Sequence, residues 1–233
     1  MRYNDIERDK MLDRLELLIG NKTNILKKKT VLLVGLGGVG GHAFESLVRS
    51  GIGTIIICDN DTFDETNLNR QILATTENLG KYKVEEAEKR KNIINPDCKI
   101  IKLKEFINEE NIDILFKNKI DFLIDAIDTV NTKKLIIKTC LRNKIKFISV
   151  MGTGGKMDPT KLEITTLDKT SYDPLAKKLR ISLKKENIKG KIKVVSSKEK
   201  PKVTKPIGSN AFVPATAGLM ACSYVINEFL KEN

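Results

Sequence analysis

Short apolar runs alternate with helical patterns of apolar and polar positions through most of the chain. The first run leads into a glycine-rich loop, after which Ala43, Leu47 and Val48 fall on one side of a helix. The predicted strands lie at residues 30–34, 54–58, 99–103, 122–124 and 146–150, and the predicted helices at 41–50, 83–94 and 132–142. Because strands and helices alternate, the pattern predicts an α/β fold with a doubly wound, mostly parallel sheet and helices on both faces.

The pattern changes at both ends of this unit. Helical spacing at residues 5–19 stops at Gly20, which predicts an N-terminal helix. After the sheet, the predicted elements are a strand at 162–166, a basic helix at 174–185, a strand at 192–196, a mobile loop at 197–209 and a final helix at 215–230. We expect an N-terminal helical segment (1–29), an α/β domain (30–166) and a basic extension (167–233) whose last helix packs on the same domain.

The composition is that of a globular protein, with 40% hydrophobic and 31% charged residues. No apolar run approaches the roughly 18 residues that are needed to cross a bilayer. The N-terminal residues are polar and lack the apolar core of a signal peptide. We therefore expect a cytoplasmic protein with no membrane partner.

Four cysteines, Cys58, Cys98, Cys140 and Cys222, are scattered singly along the chain. None lies in a CxxC pair of the kind that binds zinc or forms a redox couple. Since their neighbours are mostly apolar, buried and reduced thiols are expected, without a zinc site.

The net charge of +12 is concentrated in one block. Residues 176–205 hold 12 Lys or Arg and two Glu, which gives this block +10 and leaves +2 for the rest. Such a block attracts polyanions, but a solvated lysine face would have the same composition. Composition leaves both interpretations open.

The glycine loop carries the first candidate chemistry. Gly35, Gly37 and Gly40, with Gly38 between them, form a GxGxxG pattern between a predicted strand and a predicted helix. In that position the pattern allows a tight turn and a close approach of backbone amides to phosphate. Asp59 lies 19 residues beyond Gly40 at the end of the second strand, where a carboxylate can bind ribose hydroxyls. These features suit NAD and ATP equally well, so a dehydrogenase stays an alternative at this point.

Polar and charged residues after the later strands favour ATP. An enzyme that cleaves a triphosphate must neutralise its charge, whereas a nicotinamide enzyme has no such need. The residues in question are Asp61, Asn67, Arg70, Lys83 and Asp128. The carboxyl ends of strands in a doubly wound sheet share one edge, so these residues are expected to converge near the glycine loop.

In order and type, these residues resemble those of the family of ThiF, MoeB, HesA and the ubiquitin-activating enzymes, which adenylylate carboxylates on a Rossmann-like domain. The matching residues are the glycine loop, Asp59-x-Asp61, Asn67-x-Asn69-Arg70-Gln71, Lys83 in Gly80-Lys81-Tyr82-Lys83, and Asp125-x-x-Asp128. The resemblance implies that domain 30–166 binds ATP and Mg²⁺, and that Asp59 holds the ribose. It also implies that Asn67, Arg70 and Lys83 contact the phosphates and that Asp128 coordinates Mg²⁺.

The resemblance further implies a homodimer, in which Arg14 of each subunit reaches the γ-phosphate bound to the other. The predicted catalytic residues are then Arg14, Arg70, Lys83 and Asp128. The predicted nucleotide-binding residues are Gly35, Gly37, Gly38, Gly40, Asp59, Asp61, Asn67, Arg70 and Lys83. The lone histidine, His42, is interpreted as a packed helix residue and not as a catalyst.

Beyond residue 150 the chain resembles the branch of this family that modifies tRNA, at residues 152–160, 168–180 and 208–219. That resemblance implies adenylylation of the threonyl carboxylate on a modified adenosine, followed by ring closure and release of AMP. The basic block could then follow tRNA phosphates through Lys177, Lys178, Arg180, Lys184 and Lys185, with Tyr172 the aromatic residue nearby.

Two alternatives stay open. The first is an adenylyltransferase that activates the C-terminus of a ubiquitin-like sulfur-carrier protein, and a sulfur-transfer protein is a possible partner in either case. The second is a non-catalytic module that binds nucleotide or tRNA.

Overall fold

A computed structural model of the protein describes residues 11–232, which fold around one seven-stranded sheet. The strands are β1 (Thr30–Val34), β2 (Thr54–Cys58), β3 (Lys99–Leu103), β4 (Phe122–Asp125), β5 (Phe147–Val150), β6 (Leu162–Thr166) and β7 (Lys193–Ser197). The helices are α1 (Asp13–Ile19), α2 (Thr23–Leu26), α3 (Gly40–Arg49), α4 (Lys83–Ile94), α5 (Val130–Arg142), α6 (Pro174–Lys185) and α7 (Phe212–Leu230). Single 3₁₀ turns lie at Gly20–Lys22, Glu65–Asn67, Ile112–Phe116, Pro159–Lys161 and Leu167–Lys169.

The strand order is β3-β2-β1-β4-β5-β7-β6, with β1 at the point where the order reverses. All neighbouring pairs are parallel except β6 and β7, which pair antiparallel with Ile164 opposite Val195. In β1, Leu32 pairs with Ile56 on one side and Leu123 on the other. Ligands of doubly wound sheets bind at the carboxyl ends of strands beside such a reversal. The topology therefore predicts a ligand site at the loops after β1, β2 and β4.

Both faces of the sheet are covered, which explains why β1, β2 and β4 are almost continuously apolar. Leu33 of β1 belongs to the core under α3 and α7, together with Phe44 and Phe229. Leu32 belongs to the opposite core, under α5 and α6. The predicted fold class is therefore confirmed, and all seven predicted strands belong to the one sheet.

Helix α7 packs unusually close to the start of α3. A Cβ atom at Gly218 would collide with the carbonyl oxygen of Val39, so only glycine permits this approach. The helix also begins three residues before the predicted start, because the Asn210 side chain accepts hydrogen bonds from the amides of Phe212 and Val213. Pro214 is accommodated because it lies in the first turn.

The segments predicted at both ends have mixed outcomes. Helix α1 lies within the predicted helix 5–19 and ends at Gly20, whose φ is +61°, while residues 1–10 lie outside the described residues. Residues 198–211 form no helix or strand, whereas Ser197, the first residue of the predicted loop 197–209, ends β7. Hydrogen bonds anchor residues 198–211 at several points, and the predicted mobility stays a prediction. β7, from the predicted extension, lies inside the sheet between β5 and β6. The division between the predicted domains at residues 166 and 167 stays a prediction.

Among residues 11–232, no helix is long and apolar enough to cross a membrane.

Candidate active site

The loop between β1 and α3 is shaped by its glycines. Gly35 has a φ of +92°, and a Cβ atom there would lie 3.0 Å from the carbonyl oxygen of Ala126 in the loop after β4. A Cβ atom at Gly40 would collide with the Gly35 carbonyl oxygen. At Gly37, by contrast, no atom lies within 4 Å of the position that a Cβ would take. The loop is thus closed on its inner side and open at Gly37, beside the amide-rich start of α3, as an anion-binding loop requires.

Asp59, at the end of β2, fixes this loop. Its Oδ2 accepts a hydrogen bond from the Leu36 amide at 2.6 Å, and its Oδ1 accepts one from the Asp61 amide at 2.8 Å. Burial raises the pKa of Asp59, and the nearby Lys83 ammonium opposes that rise. Each carboxylate oxygen can still accept a further hydrogen bond at the edge of the loop, where the sequence predicts the ribose.

Lys83 begins α4 with its side chain almost completely buried, at 6% exposure. Its Nζ donates to Asp61 Oδ2 at 3.0 Å, and its backbone amide donates to the Asp61 carbonyl oxygen, also at 3.0 Å. A cation is therefore held beside the two carboxylates that follow β2. The structure brings Asp59, Asp61 and Lys83 together as predicted from the sequence.

Arg70 lies against the glycine loop. The position of a Cβ at Gly38 is 3.4 Å from Arg70 Cγ and 3.3 Å from Pro214 Cβ. The Arg70 guanidinium donates to the Thr66 carbonyl oxygen at 2.6 Å and to Asn69 Oδ1 at 2.8 Å. Because these bonds occupy Nη1, the remaining guanidinium donors can serve a ligand.

Asn67 has a local structural role. Its side-chain oxygen accepts from the Asp64 amide at 3.3 Å, and Asp64 in turn accepts from the Thr66 amide at 2.9 Å, which forms a capping box on the turn Glu65–Asn67. This capping box shapes the turn that precedes Arg70.

Asp128 is exposed on the loop after β4, two residues from Ala126, which contacts Gly35. Within residues 11–232, no group of three or more His, Cys, Asp or Glu side chains could hold a metal ion by itself. Mg²⁺ is commonly bound by one or two carboxylates together with substrate phosphates and water. A single exposed carboxylate beside a phosphate loop fits that mode of binding.

A buried cluster under this loop was missed by the sequence analysis. Lys133 of α5 donates to Asp125 Oδ2 at 2.8 Å, to Ser149 Oγ at 3.1 Å and to the Val150 carbonyl oxygen at 3.0 Å. Ser149 Oγ also donates to Asp125 Oδ2, at 2.6 Å. The cluster joins the carboxyl ends of β4 and β5. The signal in the sequence was a lysine in the otherwise apolar positions of the predicted helix 132–142.

Arg14 is not brought to the glycine loop of its own chain. It is exposed on α1, and the preceding Leu12 packs on Gly51, beyond the C-terminal end of α3. Because α3 has 10 residues, the two ends of that helix are about 15 Å apart. Arg14 therefore lies towards the opposite edge of the sheet from Gly37.

A second anchor, also missed from the sequence, connects the loop after β5 to α6 and α7. Buried Lys156 donates to the Gly152 carbonyl oxygen at 2.5 Å and to Asp173 Oδ2 at 3.1 Å, and Asp173 caps α6 through the Ala176 amide at 2.9 Å. The Asn210 side chain donates to the Lys156 carbonyl oxygen at 2.7 Å.

Two contacts join this anchor to the glycine loop. Asn69 Nδ2 donates to the Ser209 carbonyl oxygen at 3.1 Å, and Pro214 of α7 lies against Gly38. The segment before α7 therefore borders the candidate phosphate site.

The basic residues of α6 divide into two groups. Lys177, Lys178, Lys184 and Lys185 are exposed. Arg180 instead donates to the carbonyl oxygens of Leu167 and Thr170 and to the Thr170 hydroxyl, so its guanidinium holds a turn of its own chain.

Among the described residues, neither the cysteines nor the histidine near the loop is a ready nucleophile. Burial raises the pKa of Cys58 and Cys140 to about 12, and all four cysteines are buried and free. Burial lowers the pKa of His42, which is half-buried on α3. The chemistry that this arrangement can perform is phosphate binding and charge neutralisation.

The ThiF family model matches residues 12–231 of the chain. A tRNA threonylcarbamoyladenosine dehydratase of Bacillus subtilis is 40% identical over an alignment of 239 positions that covers 94% of each chain. One of Haemophilus influenzae is 37% identical and covers 89% of this chain and 88% of the relative. The crystal structure of the Escherichia coli tRNA N6-threonylcarbamoyladenosine dehydratase in complex with ATP is 36% identical, with a TM-score of 0.90 over 95% of this chain and 94% of that one. The same enzyme has also been solved in complex with AMP, with a TM-score of 0.88.

Proposed function

Since the chain belongs to the ThiF family, we propose that it uses ATP to dehydrate threonylcarbamoyladenosine in tRNA. The observation that carries the proposal is the meeting of Asp59, Lys83 and Arg70 around the glycine loop, in a chain that matches tRNA threonylcarbamoyladenosine dehydratases over nearly its whole length. The expectation of an ATP-using enzyme of this family is thereby confirmed.

In the proposed reaction, an oxygen of the threonyl carboxylate attacks the α-phosphorus of ATP and pyrophosphate leaves. The carbamoyl nitrogen then attacks the acyl carbon, loses its proton, and AMP leaves with the carboxylate oxygen. The ring closes and the nucleoside loses the elements of one water. Because the substrate supplies its own nucleophile, the high pKa values of the buried thiols are compatible with this route.

Each residue has a proposed task that follows from its place. Asp59 accepts hydrogen bonds from ribose hydroxyls, the amides around Gly37 and Gly38 contact phosphate, and Arg70 and Lys83 offset the charge that develops on pyrophosphate. Asp61 orients Lys83 through their 3.0 Å bond. Asn67 shapes the turn before Arg70, and its proposed contact with the phosphates is the one that the family resemblance implies. Asp128 would hold Mg²⁺, which supplies further charge neutralisation when it is bound.

We also propose a homodimer, because Arg14 lies far from the glycine loop of its own chain and could act on phosphates only in a second subunit. The exposed Leu17 (78%) and Leu18 (83%) on the same helix give that contact an apolar surface. The reaction belongs in the cytoplasm, with tRNA as its macromolecular substrate and a sulfur-transfer protein as a candidate partner.

The test is to incubate the protein with ATP, Mg²⁺ and tRNA that carries threonylcarbamoyladenosine. Nucleoside mass spectrometry should show a product lighter by one water, with one AMP formed per product. Arg70→Ala and Lys83→Ala should abolish ATP turnover, whereas Lys81→Ala, which changes an exposed lysine two residues before Lys83, should retain it. If no mass is lost and pyrophosphate exchange depends on a ubiquitin-like carrier protein, the alternative adenylyltransferase activity is correct.

A further inference from the structure

Four large apolar side chains are exposed between the glycine loop and α6. They are Met157 (51% exposed), Tyr172 (64%), Ile207 (73%) and Phe212 (55%). We call this set the apolar patch. Its members come from three separate parts of the chain, so their exposure does not result from one irregular loop.

Hydrogen bonds and side-chain contacts around the Lys156 anchor hold these parts together. The Lys156 ammonium binds Asp173, the neighbour of Tyr172, and the Asn210 side chain lies 3.2 Å from Met157 Sδ and 2.7 Å from the Lys156 carbonyl oxygen. A Cβ at Gly154 would lie 2.8 Å from Ile207 Cγ2. The patch is therefore formed by three segments that are joined through the buried Lys156–Asp173 ion pair and its neighbours.

Tyr172 has a backbone conformation that is unfavourable for any residue with a side chain. Its φ is +54°, in the left-handed region, where a residue with a Cβ is disfavoured and glycine is not. The aromatic ring is nevertheless presented to solvent directly before the capping residue Asp173. Backbone strain clusters at ligand-contacting and active-site residues, so the exposed ring is a candidate for ligand contact.

The surroundings of the patch are cationic. Lys169, Lys177, Lys178 and Lys202 are exposed on the segments that carry or border it. Exposed aromatic and apolar side chains among lysines are the features with which proteins bind single-stranded nucleic acid, since bases stack on the rings and the cations follow the phosphates. A fully paired duplex would hide its bases from such a surface.

The patch also borders the candidate phosphate site. Asn210 and Phe212 lie just after Ser209, whose carbonyl oxygen binds Asn69, and just before Pro214, which packs on Gly38. A nucleotide bound on the patch would thus lie beside the place where the acyl adenylate forms.

We propose that the apolar patch binds unpaired nucleotides of an RNA loop, with a base stacked on the ring of Tyr172. The choice of RNA rests on the proposed function. The patch would then select an unpaired substrate nucleotide, and Tyr172 would be a residue that determines specificity.

The test compares binding of an RNA stem-loop with binding of the same strand annealed to its complement, measured by fluorescence anisotropy. Wild-type protein should prefer the stem-loop. Tyr172→Gly should weaken stem-loop binding roughly tenfold, the size of one lost stacking contact. Because glycine adopts a left-handed φ freely, the same variant should be no less stable to heat, which separates binding from folding. Tyr172→Phe should bind like the wild type.

Asn187→Gly is the matched control, because Asn187 is exposed beyond the C-terminal end of α6 with a φ of +53°. It should leave stem-loop affinity unchanged. The proposal is overturned if Tyr172→Gly binds the stem-loop as tightly as the wild type. It is also overturned if that variant changes only the oligomer mass in light scattering, since the patch would then contact a second copy.

The experiments distinguish a wrong assignment of the patch from a wrong assignment of the reaction. If wild-type protein dehydrates the tRNA nucleoside but Tyr172→Gly keeps full stem-loop affinity, the patch assignment is wrong and the reaction stands. If Tyr172→Gly loses stem-loop affinity and the wild type yields no dehydrated nucleoside, the patch stands and the reaction is wrong.

Discussion

Lys133 Nζ lies 2.8 Å from Asp125 Oδ2, and both side chains are completely buried. The lysine reaches from α5 to the ends of β4 and β5, where it also binds Ser149 and Val150. Asp125 is three residues before Asp128, so the pair forms the base of the loop that carries the proposed Mg²⁺ ligand. A buried charge pair is costly to desolvate, and it is stable here because further hydrogen bonds satisfy both partners.

Removal of one partner should therefore destabilise the fold much more than removal of both. We expect Lys133→Met to lower the free energy of unfolding by about 3–5 kcal/mol, because Asp125 is left as an unpaired buried charge. The double variant Lys133→Met/Asp125→Leu should recover a large part of that loss. Urea unfolding followed by circular dichroism measures both.

Lys138→Met, also on α5, is the control for this experiment. Lys138 pairs with Glu186 at the surface, with 52% of its side chain exposed, and such a pair contributes roughly 0–1 kcal/mol. A loss of unfolding free energy in Lys133→Met no larger than that in Lys138→Met would contradict the proposed role of the buried pair.

Two glycines of the same loop should respond in opposite ways to an added methyl group. Gly37→Ala places Cβ in open space and should change the free energy of unfolding by less than about 0.5 kcal/mol, yet it should weaken ATP binding roughly tenfold by filling the phosphate site. Gly40→Ala forces Cβ into the Gly35 carbonyl and should destabilise the fold by about 1–3 kcal/mol. Thermal unfolding and ATP titration by calorimetry separate the two effects. Unchanged ATP affinity in Gly37→Ala would exclude the open side of the loop as the phosphate site.

Acid should weaken ATP binding through Asp59. Burial raises the pKa of this carboxyl, so it takes up a proton at a higher pH than an exposed aspartate, and the protonated form loses acceptor sites for ribose hydroxyls. The advantage of the wild type over Asp59→Asn in ATP affinity should thus be full at neutral pH and should shrink as pH falls through the raised pKa. The ratio of the two affinities is the quantity to measure, because protonation of ATP itself cancels in it. A ratio that is constant with pH would contradict the assignment.

The fold was largely predictable because its strands are short apolar runs with clear ends. Thr30–Val34, Thr54–Cys58 and Lys99–Leu103 have the predicted bounds, since glycine, proline or charged residues flank each run. Local patterns could not show that β7 enters the sheet between β5 and β6, because strand order depends on packing between distant segments. The earlier start of α7 was missed because it depends on a side-chain cap from Asn210.

The site was predictable only in part, for a similar physical reason. Asp59, Asp61 and Lys83 were predictable because the ends of parallel strands share one edge of the sheet. Lys133 and Lys156 were not, because a lysine in a sequence is most often a solvated surface residue, and only the tertiary structure shows that these two are buried against Asp125 and Asp173. Arg180 also has a structural role that the sequence did not indicate, since its Nη1 binds the backbone of its own chain, and its contact with tRNA phosphates stays a prediction.

The exposed lysines of α6 give the remaining prediction. If Lys177 and Lys178 contact tRNA phosphates, Lys177→Glu/Lys178→Glu should weaken tRNA binding and reduce the slope of log affinity against log salt by about 1.5, the release expected for two phosphate contacts. ATP affinity should stay unchanged, because neither lysine belongs to the proposed nucleotide site. Filter binding at several salt concentrations gives both the affinity and the slope.

Lys117→Glu/Lys119→Glu is the matched control, with the same change of net charge at two exposed lysines shortly before β4, at the opposite edge of the sheet. General electrostatic attraction would make both double variants lose affinity equally, because long-range steering depends on net charge. Direct phosphate contact would make only the α6 variant lose the salt slope. An equal loss in both variants would mean that the lysines of α6 form a solvated face, and that the tRNA lies elsewhere on the protein.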